Sequence, residues 1–363
     1  MSEYRMTPAA ARQLIRWFRR NERDLPWRHT GNPYDVWLSE IMLQQTRVEA
    51  VKDRFLAFKQ ALPNIPALAA CGEKELMKLW EGMGYYSRAR NLQKCAQMLV
   101  KNYQGKLPED AVSLRALPGI GSYTAGAIAS LAYGRPEPAV DGNVLRVLSR
   151  LYGLRQDIRD PHLKQDLETM LREFLNAQST ARKKDPQYVS SFNQGLMELG
   201  ALVCVPNGTP HCTQCPWRKV CTACRENLTD EIPVRAAKKP RRIEERTILV
   251  IRDGSRFLFR RRPAKGLLAG LYELPGLSGW QSRGEAVKAA EAMGFDVLQI
   301  HRLPDSKHIF SHVEWRMQAY EIRVGELSRC QAQDCILVSK KELQRFAVPS
   351  AFHAYIEYYS LRD

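Results

Sequence analysis

Two carboxylates in this chain stand in unusual surroundings. Glu40 lies in an apolar stretch, with Trp37, Leu38, Ile41 and Met42 around it and Gln44 and Gln45 after it. Such surroundings disfavour the charged form of an acid and hold its proton toward neutral pH. A carboxyl group that keeps its proton can serve as a general acid. Periodicity alone equally allows Glu40 to face solvent. Asp141 follows a connection containing Pro136 and Pro138 and precedes a helical pattern that starts near Asn143. It is placed to cap that helix. It also stands just beyond the helix that follows a glycine turn. A protonated acid paired with an ionised carboxylate is the arrangement that breaks glycosidic bonds. One group protonates the leaving group and the other steadies a positive sugar.

The glycine turn is Leu117-Pro-Gly-Ile-Gly-Ser-Tyr-Thr-Ala125. Gly119 and Gly121 let backbone come close to a ligand, and the free N–H groups of a helix starting near Ser122 favour an anion. In a basic chain that anion is expected to be a DNA phosphate. A plain joint between helices, with Ile120 as a buried plug, satisfies the same residues, and both readings can hold together.

The chain has nine cysteines, and Cys204, Cys212, Cys215, Cys221 and Cys224 fall in one stretch, while Cys71, Cys95, Cys330 and Cys335 are scattered. An extracellular disulfide framework would spread more evenly, so the pattern points to an intracellular metal or cluster site. Cys204, Cys212, Cys215 and Cys221 are separated by seven, two and five residues. A structural zinc site is the rival reading.

The elements that must carry these groups follow from periodicity. One helix is expected over Ala9–Arg20 and a long one over Tyr34–Leu62. Further helices are expected over 73–81, 86–102, 109–116, 122–133, 143–152, 162–175 and 188–202. Residues 1–224 form a helical region closed by the cysteines, and 225–245 is a basic linker with two prolines. From 246 to 363 the pattern turns to strands. Asp253-Gly254 marks a hairpin between strands at 246–251 and 256–260. A helix near 283–293 and strands at 297–303 and 313–324 complete an α+β domain. The 363 residues carry a formal net charge of +16, which attracts polyanions, nucleic acid foremost. No membrane span or secretory signal is expected.

Several segments together resemble the adenine DNA glycosylase (MutY) family of the helix–hairpin–helix superfamily. They are Pro26-Trp-Arg28, Trp37 to Thr46, Gly82 to Arg90, Leu117 to Ala125, Val140 to Arg146, the cysteine stretch and Phe310-Ser-His312. The resemblance implies a mostly α N-terminal helix–hairpin–helix glycosylase domain with an iron–sulfur cluster loop, followed by a Nudix-like C-terminal domain. It implies removal of adenine paired with 8-oxoguanine, or with guanine, in base excision repair. Glu40 then protonates N7 of the flipped adenine, and Asp141 stabilises the oxocarbenium-like sugar. Tyr123 and Asn143 support that transition state. Gln45 and Tyr85 wedge into the duplex, with Arg88, Gly119 and Gly121 among the DNA contacts. Relatives that also nick DNA carry a lysine where this chain has Tyr123. A phenol cannot form a Schiff base, so a monofunctional enzyme is expected rather than a glycosylase/lyase.

The resemblance also implies a 4Fe–4S cluster on Cys204, Cys212, Cys215 and Cys221. The first gap is one residue longer than the family's usual spacing, and Cys224 is spare. In the Nudix-like part, Gly270-Leu-Tyr-Glu-Leu-Pro-Gly276 is recognisable. The next helix holds only Glu285 and Glu291, so Mg²⁺-dependent pyrophosphate hydrolysis is not expected. Phe310, Ser311 and His312 are expected to probe the base opposite the adenine, with Phe310 as a wedge. The chain is expected to act as a monomer on double-stranded DNA in a bacterial cytoplasm.

Overall fold

The computed structural model describes residues 4–181, 185, 187–236, 240–254, 256–325, 327, 335–343 and 346–360. Cys330 lies outside them. Packing divides the chain into two units. One comprises Met1–Cys71 with Arg90–Ala237, the other Gly72–Ala89 with Lys238–Asp363.

The first unit is helical. α1 (Pro8–Asn21) starts at Thr7, whose hydroxyl accepts from the Ala10 N–H, and it buries Ala11, Leu14, Ile15 and Phe18. That spacing puts one apolar stripe on the core. α2 (Pro33–Leu43) is capped by Asn32 and is buried nearly all round. α3 (Val48–Ala61) is a separate helix, so the single helix expected over Tyr34–Leu62 is broken. The break is a turn at Gln44–Arg47, where Gln45 takes a left-handed φ of +59°. The next helices are α4 (Ile65–Ala70), α5 (Glu73–Leu79), which lies in the second unit, and α6 (Ser87–Tyr103).

The glycine turn joins α7 (Ala111–Arg115) to α8 (Ser122–Ala127). Gly119 has φ +77°, and a Cβ there would stand 2.8 Å from Cβ of Asn91. Ile120 is buried, as its role as a plug requires. α8 continues into a π-helical turn, Ile128–Ala132. α9 (Gly142–Tyr152), α10 (Pro161–Ala181) and α11 (Tyr188–Leu202) pack with α1 around Leu148, Leu167, Phe192 and Trp217. The cysteine stretch folds as a short turn, Cys212–Gln214, and α12 (Thr222–Arg225). The chain then stays on this unit: Arg150 donates to the carbonyls of Thr229 and Ile232, and Val234 bridges to Asp157.

Among the described residues, the second unit is a seven-stranded mixed sheet with helices on both faces. Its elements are β1 (Arg242–Asp253), β2 (Arg256–Arg261), β3 (Tyr272–Glu273), β4 (Gly276–Ser278), β5 (Val297–Ile309), β6 (Val313–Val324) and β7 (Cys335–Ser339). The helices are α13 (Arg283–Ala292), α14 (Lys340–Leu343) and α15 (His353–Ser360). β1 is central and parallel to β6. Its alternation feeds two cores. Ile248 and Val250 join Phe352 and Tyr355 on one face, while Leu249 and Ile251 join Ala286 and Ala290 on the other. β5 runs past the expected end at 303, because a register shift between Leu303 and Ser306 accommodates Pro304. α5 packs with this unit, where the Lys74 ammonium lies 4.2 Å from the ring centre of Phe346.

One contact links the fold of the first unit to its chemistry. A Cβ added to Gly126 in α8 would stand 2.1 Å from the carbonyl oxygen of Pro138. That backbone leads directly to Asp141. Gly126→Ala is therefore expected to cost at least about 1–3 kcal/mol, the range of an overpacked core. Urea denaturation measures the loss, and an unchanged midpoint would show that this backbone yields freely.

Candidate active site

α2, α8 and the start of α9 bring four of the expected residues to one cavity of about 1140 Å³ in the first unit. Glu40 comes from the middle of α2 and is buried. Tyr123 is the second residue of α8, and its hydroxyl donates to Oε2 of Glu40 at 2.6 Å. Asp141 is the N-cap of α9, as its position required. Its Oδ1 accepts from the Val144 N–H at 2.8 Å, and its Oδ2 accepts from Nδ2 of Asn143 at 2.8 Å. Asn143 is fixed in turn by Arg146, which donates to its Oδ1 at 2.9 Å and to the carbonyl of Gly200 at 2.8 Å.

Burial raises the pKa of Glu40 to about 7; the Asp141 charge also raises it, while the Tyr123 hydrogen bond and Arg28 oppose. Burial likewise raises Asp141, but the N–H of Val144 and Asn143 favour its charged form. Tyr123 is raised well above the usual phenol value by burial and by the two carboxylates, so it remains a donor. The site therefore offers one proton-bearing acid and one hydrogen-bonded carboxylate. That is the combination required to release a leaving group and balance positive charge.

Three further residues complete the cavity wall and carried only part of a signal in the sequence. Glu198, in α11, takes Arg23 through three hydrogen bonds of 2.8–2.9 Å and Nη2 of Arg28 at 2.8 Å. Burial alone would raise Glu198, but its hydrogen bonds from Arg23 and Arg28 bring it down to about 2. With both guanidiniums paired, this wall is rigid, and Trp27 and Met197 beside it supply apolar surface. Arg28 lies in a motif segment, and Glu198 is an acid among apolar residues. Nothing in the sequence shows that residues so far apart meet.

The DNA-contact candidates are placed as follows. Gln45 is exposed on the turn after α2 and lines the same cavity. Gly119 and Gly121 form the turn before α8. Tyr85 and Arg88 lie in the second unit. Tyr85 is exposed with φ +44°. Arg88 donates to the carbonyls of Met83 and Gly84. Phe310, Ser311 and His312 form the turn between β5 and β6. Ser311 and His312 are exposed and hydrogen-bonded to each other at 3.2 Å. Phe310 is half-buried, with its ring centre 4.8 Å from that of Trp315. Glu285, one of two acids on α13, is engaged in a capping box with Ser282.

The expected 4Fe–4S cluster, and with it the iron–sulfur loop as part of the fold, requires correction. Among the described residues no group of three or more His, Cys, Asp or Glu side chains is arranged to hold a metal ion. Cys204, Cys212, Cys215, Cys221 and Cys224 do line one space, but it measures about 30 Å³, room for about one water. The sulfurs have other partners. Arg150 donates to Sγ of Cys204 at 3.3 Å, Cys221 donates to the carbonyl of Arg150 at 3.3 Å, and the Cys212 thiol is hydrogen-bonded to that of Cys224. Iron–sulfur and zinc readings therefore do not fit this arrangement.

Both parts of the chain resemble known proteins. Residues 38–173 match the HhH-GPD superfamily base excision DNA repair protein model, and residues 247–358 match the NUDIX domain model. The chain is 32% identical over 369 residues to adenine DNA glycosylase of Homo sapiens, covering 85% of this chain and 65% of the human protein. It is 32% identical over 318 residues to adenine DNA glycosylase of Buchnera aphidicola subsp. Acyrthosiphon pisum, covering 87% of each. Among solved structures, a thermostable thymine-DNA glycosylase is similar at 26% identity and a TM-score of 0.52, over 60% of this chain and 96% of that one. No helix among the described residues is long and apolar enough to cross a membrane. Two domain families in order, and a relative 32% identical and matched over 87% of its length, place this chain in the adenine DNA glycosylase family of the helix–hairpin–helix base excision repair enzymes.

Proposed function

We propose that this chain hydrolyses the N-glycosidic bond of adenine paired with 8-oxoguanine in duplex DNA, leaving an abasic site. The observation that carries the reading is the buried Glu40, bonded to Tyr123 and facing Asp141 in one cavity. Glu40 delivers its proton to N7 of the extruded adenine. The bond from N9 to the sugar C1′ then breaks, and its electron pair leaves with the base. Asp141 balances the cationic sugar, with its charge held by the Val144 and Asn143 N–H groups. Water adds at C1′ and gives its proton to Glu40. Tyr123 has no amine to offer the sugar, which favours hydrolysis without strand scission. The Arg23–Arg28–Glu198 wall and Trp27 supply a rigid surface for a planar base. All these groups come from one chain, which supports action as a monomer.

In the second unit, Ser311 and His312 are exposed at a hairpin tip anchored by Phe310. That suits a small hydroxyl offered to the edge of the base opposite the adenine, where 8-oxoguanine and guanine differ.

Four outcomes follow for single-turnover kinetics on synthetic duplexes. Glu40→Gln should bind DNA but lose about 10²–10⁴-fold in excision, the usual worth of a positioned acid. Wild-type rates in that variant would remove Glu40 from the chemistry. The protonated form of Glu40 is the competent one, so the wild-type rate should fall as pH rises through about 7. Tyr123→Phe deletes the bond that favours the carboxylate, so its slower reaction should keep activity to higher pH. A descending limb that stays in place or moves down would contradict the assigned coupling. Ser311→Ala should slow excision opposite 8-oxoguanine by about tenfold, within the 1–3 kcal/mol of a base contact, and leave excision opposite guanine nearly unchanged. Equal losses on both duplexes would assign the turn to support alone.

A further inference from the structure

We propose that a second cavity, lying within the Nudix-like unit and lined by Arg246, is a binding site for a phosphate group. The cavity measures about 930 Å³ and is lined by Arg242, Arg246, Arg262, His312, Trp315 and Arg316, among others. Most of its basic groups are already engaged. Arg262 donates to Glu273 and to the carbonyl of Leu267. Arg242 pairs with Glu244, and Arg316 donates to Glu314 at 3.0 Å. Glu244 also accepts the indole N–H of Trp315 at 2.9 Å.

Arg246 is different. Its guanidinium lies over the indole of Trp315, with Cζ 4.1 Å from the ring centre, closer than that of Arg262 at 5.5 Å. Among the described residues no carboxylate or carbonyl accepts from it. Trp315 is itself fully buried, held between β1 and β5 and packed on Phe310 and Phe352. The guanidinium is thus stacked on an immobile platform with its N–H fork still to be used. Its burial lowers its pKa, the charges of Glu273 and Glu244 oppose, and those of Arg262 and Arg260 add to the lowering, so the site carries a desolvation and like-charge cost that an anion would relieve. Glu245 is the remaining carboxylate of the lining, and it is exposed.

A planar fork of donors fits the oxygens of phosphate in pairs. His312, which lines the same cavity, follows Ser311 directly. The site would therefore hold the phosphate of the nucleotide whose base the turn reads, and in this it rests on the role proposed for Ser311. The phosphate belongs either to a DNA strand or to a free nucleotide, and two measurements on the full chain separate these.

Calorimetry compares dGMP with deoxyguanosine. Fluorescence anisotropy follows binding to an A:8-oxoguanine duplex across a salt series. If free nucleotide is the ligand, dGMP should bind the wild type, deoxyguanosine should not, and Arg246→Gln should weaken dGMP about tenfold. If the ligand is a DNA strand, Arg246→Gln should weaken the duplex and reduce the log–log salt slope by about one. A folded Arg246→Gln that matches the wild type in both arms overturns the proposal. Should that variant not fold, Arg246→Lys keeps the stem and charge. Loss of affinity at an unchanged salt slope would then support the fork, and wild-type affinity in both arms would overturn it. Adenine excision by the wild type is assayed separately, so failure of the catalytic reading is distinguishable from failure of this site.

Discussion

Two carboxyl groups in one desolvated cavity cannot both carry charge at ordinary cost. Glu40 and Asp141 are bound by that constraint, and the surrounding elements are arranged to resolve it unequally. α2 delivers Glu40 into an apolar shell with one phenol as its polar partner. α9 delivers Asp141 at a helix start, where unpaired N–H groups and the positive end of the dipole favour a charge. Helix placement thereby decides which acid keeps its proton. The close passage of α8 past Pro138 and the hold of Arg146 on Asn143 are what keep the two environments distinct.

The cavity wall opposite follows another logic. Glu198 is buried among two guanidiniums, and removing one partner of such a group leaves a charge in a poor solvent. The triad is therefore fixed before any ligand arrives. A rigid wall costs less ordering on binding than flexible side chains would.

How much of this was legible in the sequence depends on the range of the interaction. The cap at Asp141, the turn at Gly119 and the hairpin at Gly254 are local, and each was read from the residue that creates it. The break between α2 and α3 was missed because Gln45 adopts a left-handed φ without being glycine, so no punctuating residue marks it. The extent of β5 was missed because Pro304 normally ends a strand and here sits at a bulge. The contact of Phe310 with Trp315 crosses the hairpin, and no local pattern announces it. Glu198 meets Arg23 across 175 positions, which no local pattern encodes. The cysteine spacing suggested a cluster, but spacing carries no information on enclosed volume or on the donors that occupy each sulfur.

Asp141 carries one more consequence, and it lies in the direction of its hydrogen bonds. Both oxygens accept, one from a backbone N–H and one from the amide NH₂ of Asn143. An asparagine at 141 would cap the helix almost as well, yet its own NH₂ would face the NH₂ of Asn143, donor against donor. Asn143 cannot simply turn over to present its oxygen, because Arg146 already donates to that oxygen. Polarity thus runs one way along the chain from Arg146 through Asn143 to Asp141. Replacing the carboxylate by its amide would not only discharge the site; it would reverse the sense of the last bond and send the mismatch back toward the carbonyl of Gly200, where Arg146 is anchored.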